Sequence, residues 1–297
     1  MFKYLILSLK ITVFFYSQAH AQQNYFKYHQ QVNEINTSIS EERYEAALKT
    51  YYELFSAYSF IFLRDYKVAS QLAMKVGHKD QVFKMIRKGI ASGWGWKSLK
   101  SHPVFKPLHS DPEWAQLKTE FNHLHESYLS TLDAPLSEVV HDMFKNDQLK
   151  ALGALFRIGN NAQIKHANRK FAPHSELQLA EVIEILKEKN YPGERLIGNN
   201  YWMSTIISHH NSISTEYAKK DTIYDYIKPM LLGGLKSGLL SPSEFAVMDV
   251  WRIVTLKEPD RIGYGFLNEA KESTLATTDS IRTAIGLPSV HLRNKLV

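Results

Sequence analysis

The residues of this chain that could do chemistry gather in its last third. The run 243–256 (SEFAVMDVWRIVTL) is apolar nearly all round, yet it carries Asp249 and Arg252. A charge among apolar neighbours is costly unless paired, so both must meet a specific partner. Phe245, Asp249, Arg252 and Leu256 lie at i, i+4, i+7 and i+11 and share one helical face. A spacing of three residues lets carboxylate and guanidinium touch. Two arrangements are open. Arg252 could hold a ligand carboxylate or phosphate bidentately while Asp249 orients it. Otherwise the two form an internal ion pair that also ties down backbone carbonyls, and this plainer reading is preferred.

Upstream, the run 202–210 (WMSTIISHH) ends an apolar stripe in two histidines. His209 and His210 follow Ile206 by three and four positions, so both flank the buried stripe. Adjacent histidines point about 100° apart on a helix and chelate one metal poorly. Zinc helices carry His at i and i+4, a spacing this segment lacks. One imidazole could act as a general base if a carboxylate oriented it. The plainer reading is a core-edge histidine at a helix end. Tyr191-Pro192-Gly193-Glu194 and Ile197-Gly198-Asn199 make a glycine-punctuated turn before this segment. It lacks the glycines and Lys-Ser/Thr of a phosphate loop. In the first half, Trp94 and Trp96 could stack on a sugar if exposed, or plug a gap between helices. His102, His109, His123 and His125 are close in sequence, with no acid or cysteine at metal spacing among them. No metal site and no cofactor is expected, and Gly-x-Ser-x-Gly is absent.

The elements that must position these residues read as helices. Ser38 and Glu41 have capping-box spacing before an apolar-rich run over 44–63. Asp111 precedes Pro112 at a first helical position, Ser175 and Gln178 open a run over 176–189, and Ser241-Pro242-Ser243-Glu244 opens the helix of Asp249. Gly233, Gly234 and Gly238 are expected to break the chain before that cap. The tail 277–297 reads as a short helix and then an extended end. The fold class is therefore all-α, in two units. The first, 22–132, contains Ala69, Ala73 and Gly77, then Val82, Phe83, Ile86 and Ile90, which read as two short helices around a turn. This resembles a tetratricopeptide-like helical hairpin, with small residues where the second helix packs. Its tail, 99–117, resembles the ends of helical-repeat modules in exported bacterial proteins. Asp133 and Pro135 mark a boundary before the second, compact helical unit, 136–297.

Residues 1–21 read as a signal peptide: Lys3, an apolar stretch over 4–16 interrupted by Lys10, then Ala19-His20-Ala21. Cleavage would export the chain to the periplasm or beyond, and would lower the formal charge of +6 by two. The absence of cysteine excludes a disulfide framework, a thiolate metal site and a Cys nucleophile. No basic block of the kind that binds nucleic acid is present. No later run is long enough to span a membrane.

Motif order in the second unit runs Asp147-Gln148, Pro192, Ile197-Gly198, His209, Ala246 with Asp249 and Arg252, then Tyr264-Gly265. Over about residues 143–267 this resembles an uncharacterised bacterial domain family. The chain departs from that pattern at Asn190, Ser208, Trp251 and Phe266-Leu267. The resemblance groups His209, Asp249, Arg252 and Tyr264, with Asp147 as a further member, into one polar cluster. The departures fall beside those residues, so a binding or scaffold protein is the preferred expectation. A protein or peptide would then dock on the first unit. The alternative is a hydrolase with His209 as base and Arg252 as anion clamp, and whether the chain is an enzyme stays open.

Overall fold

A computed structural model describes residues 23–155, 159–257, 262–267 and 269–296, and among them every regular element is helical. The expected signal peptide, 1–21, lies outside the described residues. Among them no helix is long and apolar enough to cross a membrane.

The first part holds α1 (Tyr25–Ser40), α2 (Tyr44–Ala57), α3 (Leu63–Lys75), α4 (Lys79–Ile90), α5 (Trp96–Ser101) and α6 (Pro112–Ser130). Helices α3 and α4 form a hairpin. Ala69 and Ala73 on α3 are fully buried, and their small side chains let Val82, Phe83 and Ile86 of α4 approach closely. Gly77 turns the chain with φ +79°, a conformation that Cβ disfavours. The cap at Asp111 forms as expected, its carboxylate accepting the Glu113 amide at 2.9 Å. Two expectations fail here. Ser38 and Glu41 close α1 instead of opening α2, whose N-cap Arg43 makes no side-chain cap. The run 44–63 breaks after Ala57, because Tyr58 turns extended and the bulky stretch 60–62 enters the core as irregular chain. Trp94 is 1% exposed and meets Phe105 edge-on, while half-buried Trp96 packs on Trp114 and Phe121. These tryptophans are plugs and not a sugar platform.

The second part holds α7 (Ala134–Leu155), α8 (Asn160–His166), α9 (Ala172–Lys189), α10 (Glu194–Ile197), α11 (Trp202–Asn211), α12 (Thr215–Ala218), α13 (Ile223–Ser237), α14 (Pro242–Leu256), α15 (Leu275–Ala284) and α16 (Val290–Lys295). Ser241 caps α14 through the Glu244 amide at 3.2 Å. Ser175 lies inside α9 and caps nothing, since the chain is already helical from Ala172. Gly233 and Gly234 lie within α13, and Gly238 alone ends it, at φ +75°. The tail makes two short helices where one and an extended end were expected.

Buried apolar side chains fall into two main clusters, one over 25–117 and one over 136–287. The parts are joined by specific contacts. The Tyr25 ring packs so closely on Gly238 that a Cβ there would stand 2.6 Å from it. Asn33 donates to the Gly286 carbonyl at 3.1 Å. Glu194 accepts the Leu63 amide at 2.6 Å and so caps α3 from the other part.

Candidate functional site

Asp249 is 4% exposed, and both of its oxygens are hydrogen-bonded. Its Oδ1 accepts from the Tyr224 hydroxyl at 2.9 Å and from Lys228 Nζ at 2.8 Å, and its Oδ2 accepts from the Tyr264 hydroxyl at 3.0 Å. Burial and the neighbouring Asp249 carboxylate push both phenols up, so they stay protonated as donors. Arg252 does not pair with Asp249. Its guanidinium donates to Asp221 Oδ2 at 2.9 Å and to the Asp221 carbonyl at 2.8 Å. The cause is the hairpin of α13 and α14. Asp221 lies opposite Arg252, while Tyr224 and Lys228 lie opposite Asp249, so each charge finds its partner across the interface. Spacing along one helix permits an i, i+3 contact; the facing helix takes it away.

Asp221 extends this pairing into a buried chain. His210 Nε2 lies 3.3 Å from Asp221 Oδ1, and His210 Nδ1 lies 2.9 Å from the Ser175 hydroxyl. Serine, imidazole and carboxylate are thus in series, the residue types of a nucleophile relay. Ser175 is fully buried and His210 is 1% exposed, so no substrate reaches them. Burial alone would raise the Asp221 carboxyl; His210, the Ile223 amide and Arg252 outweigh it and hold the carboxyl below its ordinary value. The assembly ties α9, α11, α13 and α14 together.

His209 behaves differently. Its Nδ1 lies 2.5 Å from Oδ2 of Asp147, which is fully buried on α7. The histidine side chain is 31% exposed. The carboxylate accepts from Nδ1–H, so a neutral ring presents Nε2 as an acceptor. Two cavities meet at this ring. One, of about 300 Å³, has Lys150, His166 and Phe171 among its walls. The other, of about 530 Å³, runs between α11 and α14 past Tyr201 and Trp251. Asp147 Oδ1 is buried without a hydrogen-bond partner. Near it, burial lowers the His174 imidazole while Asp147 pulls it back up.

The expected five-residue cluster therefore divides. Tyr264 joins Asp249, Asp147 joins His209, and Arg252 joins Asp221 and His210. Sequence reasoning missed Asp221, Lys228 and Ser175. The signal that could have found Asp221 was its place just before α13, one hairpin away from an unpaired arginine. Among the described residues no group of three or more His, Asp or Glu is gathered for a metal ion. Neither a family model, nor a curated protein, nor a solved structure matches the chain.

Proposed function

We propose that the protein is a binding protein whose second part holds a small ligand at the His209–Asp147 pair. One observation carries this reading: a fully buried carboxylate orients an imidazole that is itself part-exposed and lines two cavities. A core-edge histidine needs only a partner. This one has Nδ1 held against a carboxylate and an open second nitrogen with which to meet a ligand hydroxyl or amide. In the same reading the chain is exported after loss of residues 1–21 and belongs with the uncharacterised bacterial domain family. Contact between Asp147 and His209, and between Asp249 and Tyr264, supports that motif order. The α3–α4 hairpin, with its small residues at the crossing, supports a tetratricopeptide-like first part that docks a protein or peptide.

The same pair favours a second reading, a hydrolase in which His209 takes a proton from water. Arg252 is no anion clamp for it, because the residue is 5% exposed and both of its terminal nitrogens already donate to Asp221. The test is a thermal-shift screen of the full chain with metal ions, sugars, nucleotides, carboxylates and cell-wall fragments, repeated on His209→Gln. The expected result is a rise of about 2 °C or more with one probe class, lost in the variant. No rise with any probe, or a rise that persists in His209→Gln, overturns the binding reading. Release of p-nitrophenol from acetate, phosphate or glycoside substrates, abolished by Asp147→Asn, would replace it with the hydrolase.

A further inference from the structure

The groove between α11 and α14 differs in chemistry from the cavity on the other side of His209. Its walls carry hydroxyls from both helices, among them Ser208 and Thr205 of α11 and Ser243 of α14. The Ser208 hydroxyl is buried and makes no hydrogen bond, so a donor and an acceptor stand unspent in the groove wall. An unsatisfied buried hydroxyl is costly, and a ligand hydroxyl would relieve it. Large apolar side chains that would normally be covered stand open beside these polar groups. Tyr201 is 66% exposed, Val247 is 40% exposed and Trp251 is 37% exposed.

We propose that this groove is a saccharide-binding site, in which a neutral sugar packs against Trp251 and Tyr201 while Ser208 and His209 Nε2 bond its hydroxyls. The proposal rests on the binding reading above and names its ligand class. Charge decides for a neutral ligand. The groove has no lysine or arginine in its walls. Its one carboxylate, Glu244, has its oxygens taken by the Tyr191 and Ser241 hydroxyls at 3.1 and 3.2 Å. An anion would find only the imidazole, and a cation would find no free acid. Hydrogen-bonding economy decides for a sugar over a peptide. Both walls are helices whose backbone groups are used internally, so no edge is free to pair with an extended chain. A wall that carries both hydroxyls and aromatic rings matches a sugar, which offers hydroxyls at its rim and C–H groups on its face. The volume of about 530 Å³ lies in the range of small-ligand sites.

Saturation-transfer NMR on the full chain with cellobiose, maltotriose and chitobiose tests this, alongside a neutral tripeptide. At least one saccharide should bind, with affinity reduced about tenfold or more in Trp251→Ala and in Tyr201→Ala. Trp251→Phe, which keeps a ring, should restore most of the affinity. Circular dichroism and melting temperature near those of the wild type show that the variants fold. If no saccharide binds, if Trp251→Ala binds as well as wild type, or if the peptide alone binds, the sugar assignment is overturned. A nucleotide or carboxylate whose thermal shift needs His209, with no saccharide bound, would leave the His209 site standing and remove the sugar. If no probe of any class binds, both fall together.

Discussion

His209 and His210 are neighbours in sequence, each facing a carboxylate, yet they serve opposite ends. His210 is sealed between Ser175 and Asp221, and Asp221 is in turn bound by Arg252. His209 holds Asp147 with one nitrogen and faces two cavities with the other side of its ring. Residue type does not separate them, since the sealed set even has the serine that a relay would use. Access separates them. A rotation of about 100° between adjacent helical positions turns one imidazole into the helix bundle and the other toward its edge. A Ser-His-Asp series is chemistry only where a substrate can enter.

The largest effect is expected at Arg252. Arg252→Ala leaves the buried Asp221 without its cation and should cost about 3–5 kcal/mol, read as a fall in denaturation midpoint. A loss below about 1 kcal/mol would mean that the sealed set does not hold the helices together. The next effect is one of pH, with opposite signs on the two sides. Burial pushes Glu244, in the groove beside His209, up to about 7 from 4.5. Its folded form holds the proton more tightly, so stability should fall by on the order of 3 kcal/mol as pH rises from about 4.5 to about 7. Glu194, raised likewise to about 7, acts in the same direction. Asp221 is held low, so its contribution is present above its ordinary value and is lost as the solution turns acid. Urea melts across pH, compared with Glu244→Gln, should show the first slope flattened in the variant.

Smaller effects sharpen the contrast between the imidazoles themselves. His210→Ala strands the Ser175 hydroxyl, while Asp221 keeps Arg252 and the Ile223 amide, and should cost about 2 kcal/mol. His209→Gln keeps a side-chain donor for Asp147 and should cost about 1 kcal/mol or less, its main effect falling on ligand binding. Equal losses in urea would erase the distinction. The smallest structural effect is chemical. Diethylpyrocarbonate should modify His209 and spare His210, as resolved by fragment mass spectrometry, because their side chains are 31% and 0% exposed. Modification of His210 at a comparable rate would contradict its sealed position.

Much of the scaffold was legible in the chain, and for local reasons. Asp111 before Pro112 and Ser241 before Pro242 each satisfy a helix's first amides from a side chain a few residues away, so the motif contains its own partner. Ser175 and Gln178 have the same type of spacing but lie inside α9, where Ser175 bonds His210 and Gln178 donates to the Met143 carbonyl. Their partners lie on other helices, and spacing cannot separate such a residue from a cap. The paired tryptophans illustrate the same point. Aromatic residues in a glycine loop suit a sugar platform or a plug equally well, and only burial of Trp94 decides. The open aromatic residues turned out to be Tyr201 and Trp251, which are far apart in sequence and line one groove.

The amino-acid sequence by itself determined that this chain is helical, where several of its helices begin, and that Asp249, Arg252 and the histidines must meet specific partners. The first two follow from periodicity and capping, which act over one or two turns, and the third from the cost of a polar group among apolar neighbours. The tertiary structure decided who those partners are. Helices α13 and α14 fold back on each other, giving Asp249 to Tyr224 and Lys228, while the turn before α13 gives Asp221 to Arg252 and the chain beyond α14 brings Tyr264 to Asp249. It also decided which imidazole keeps contact with solvent. Pairing energy depends on distance through space, and the crossing of two helices sets that distance.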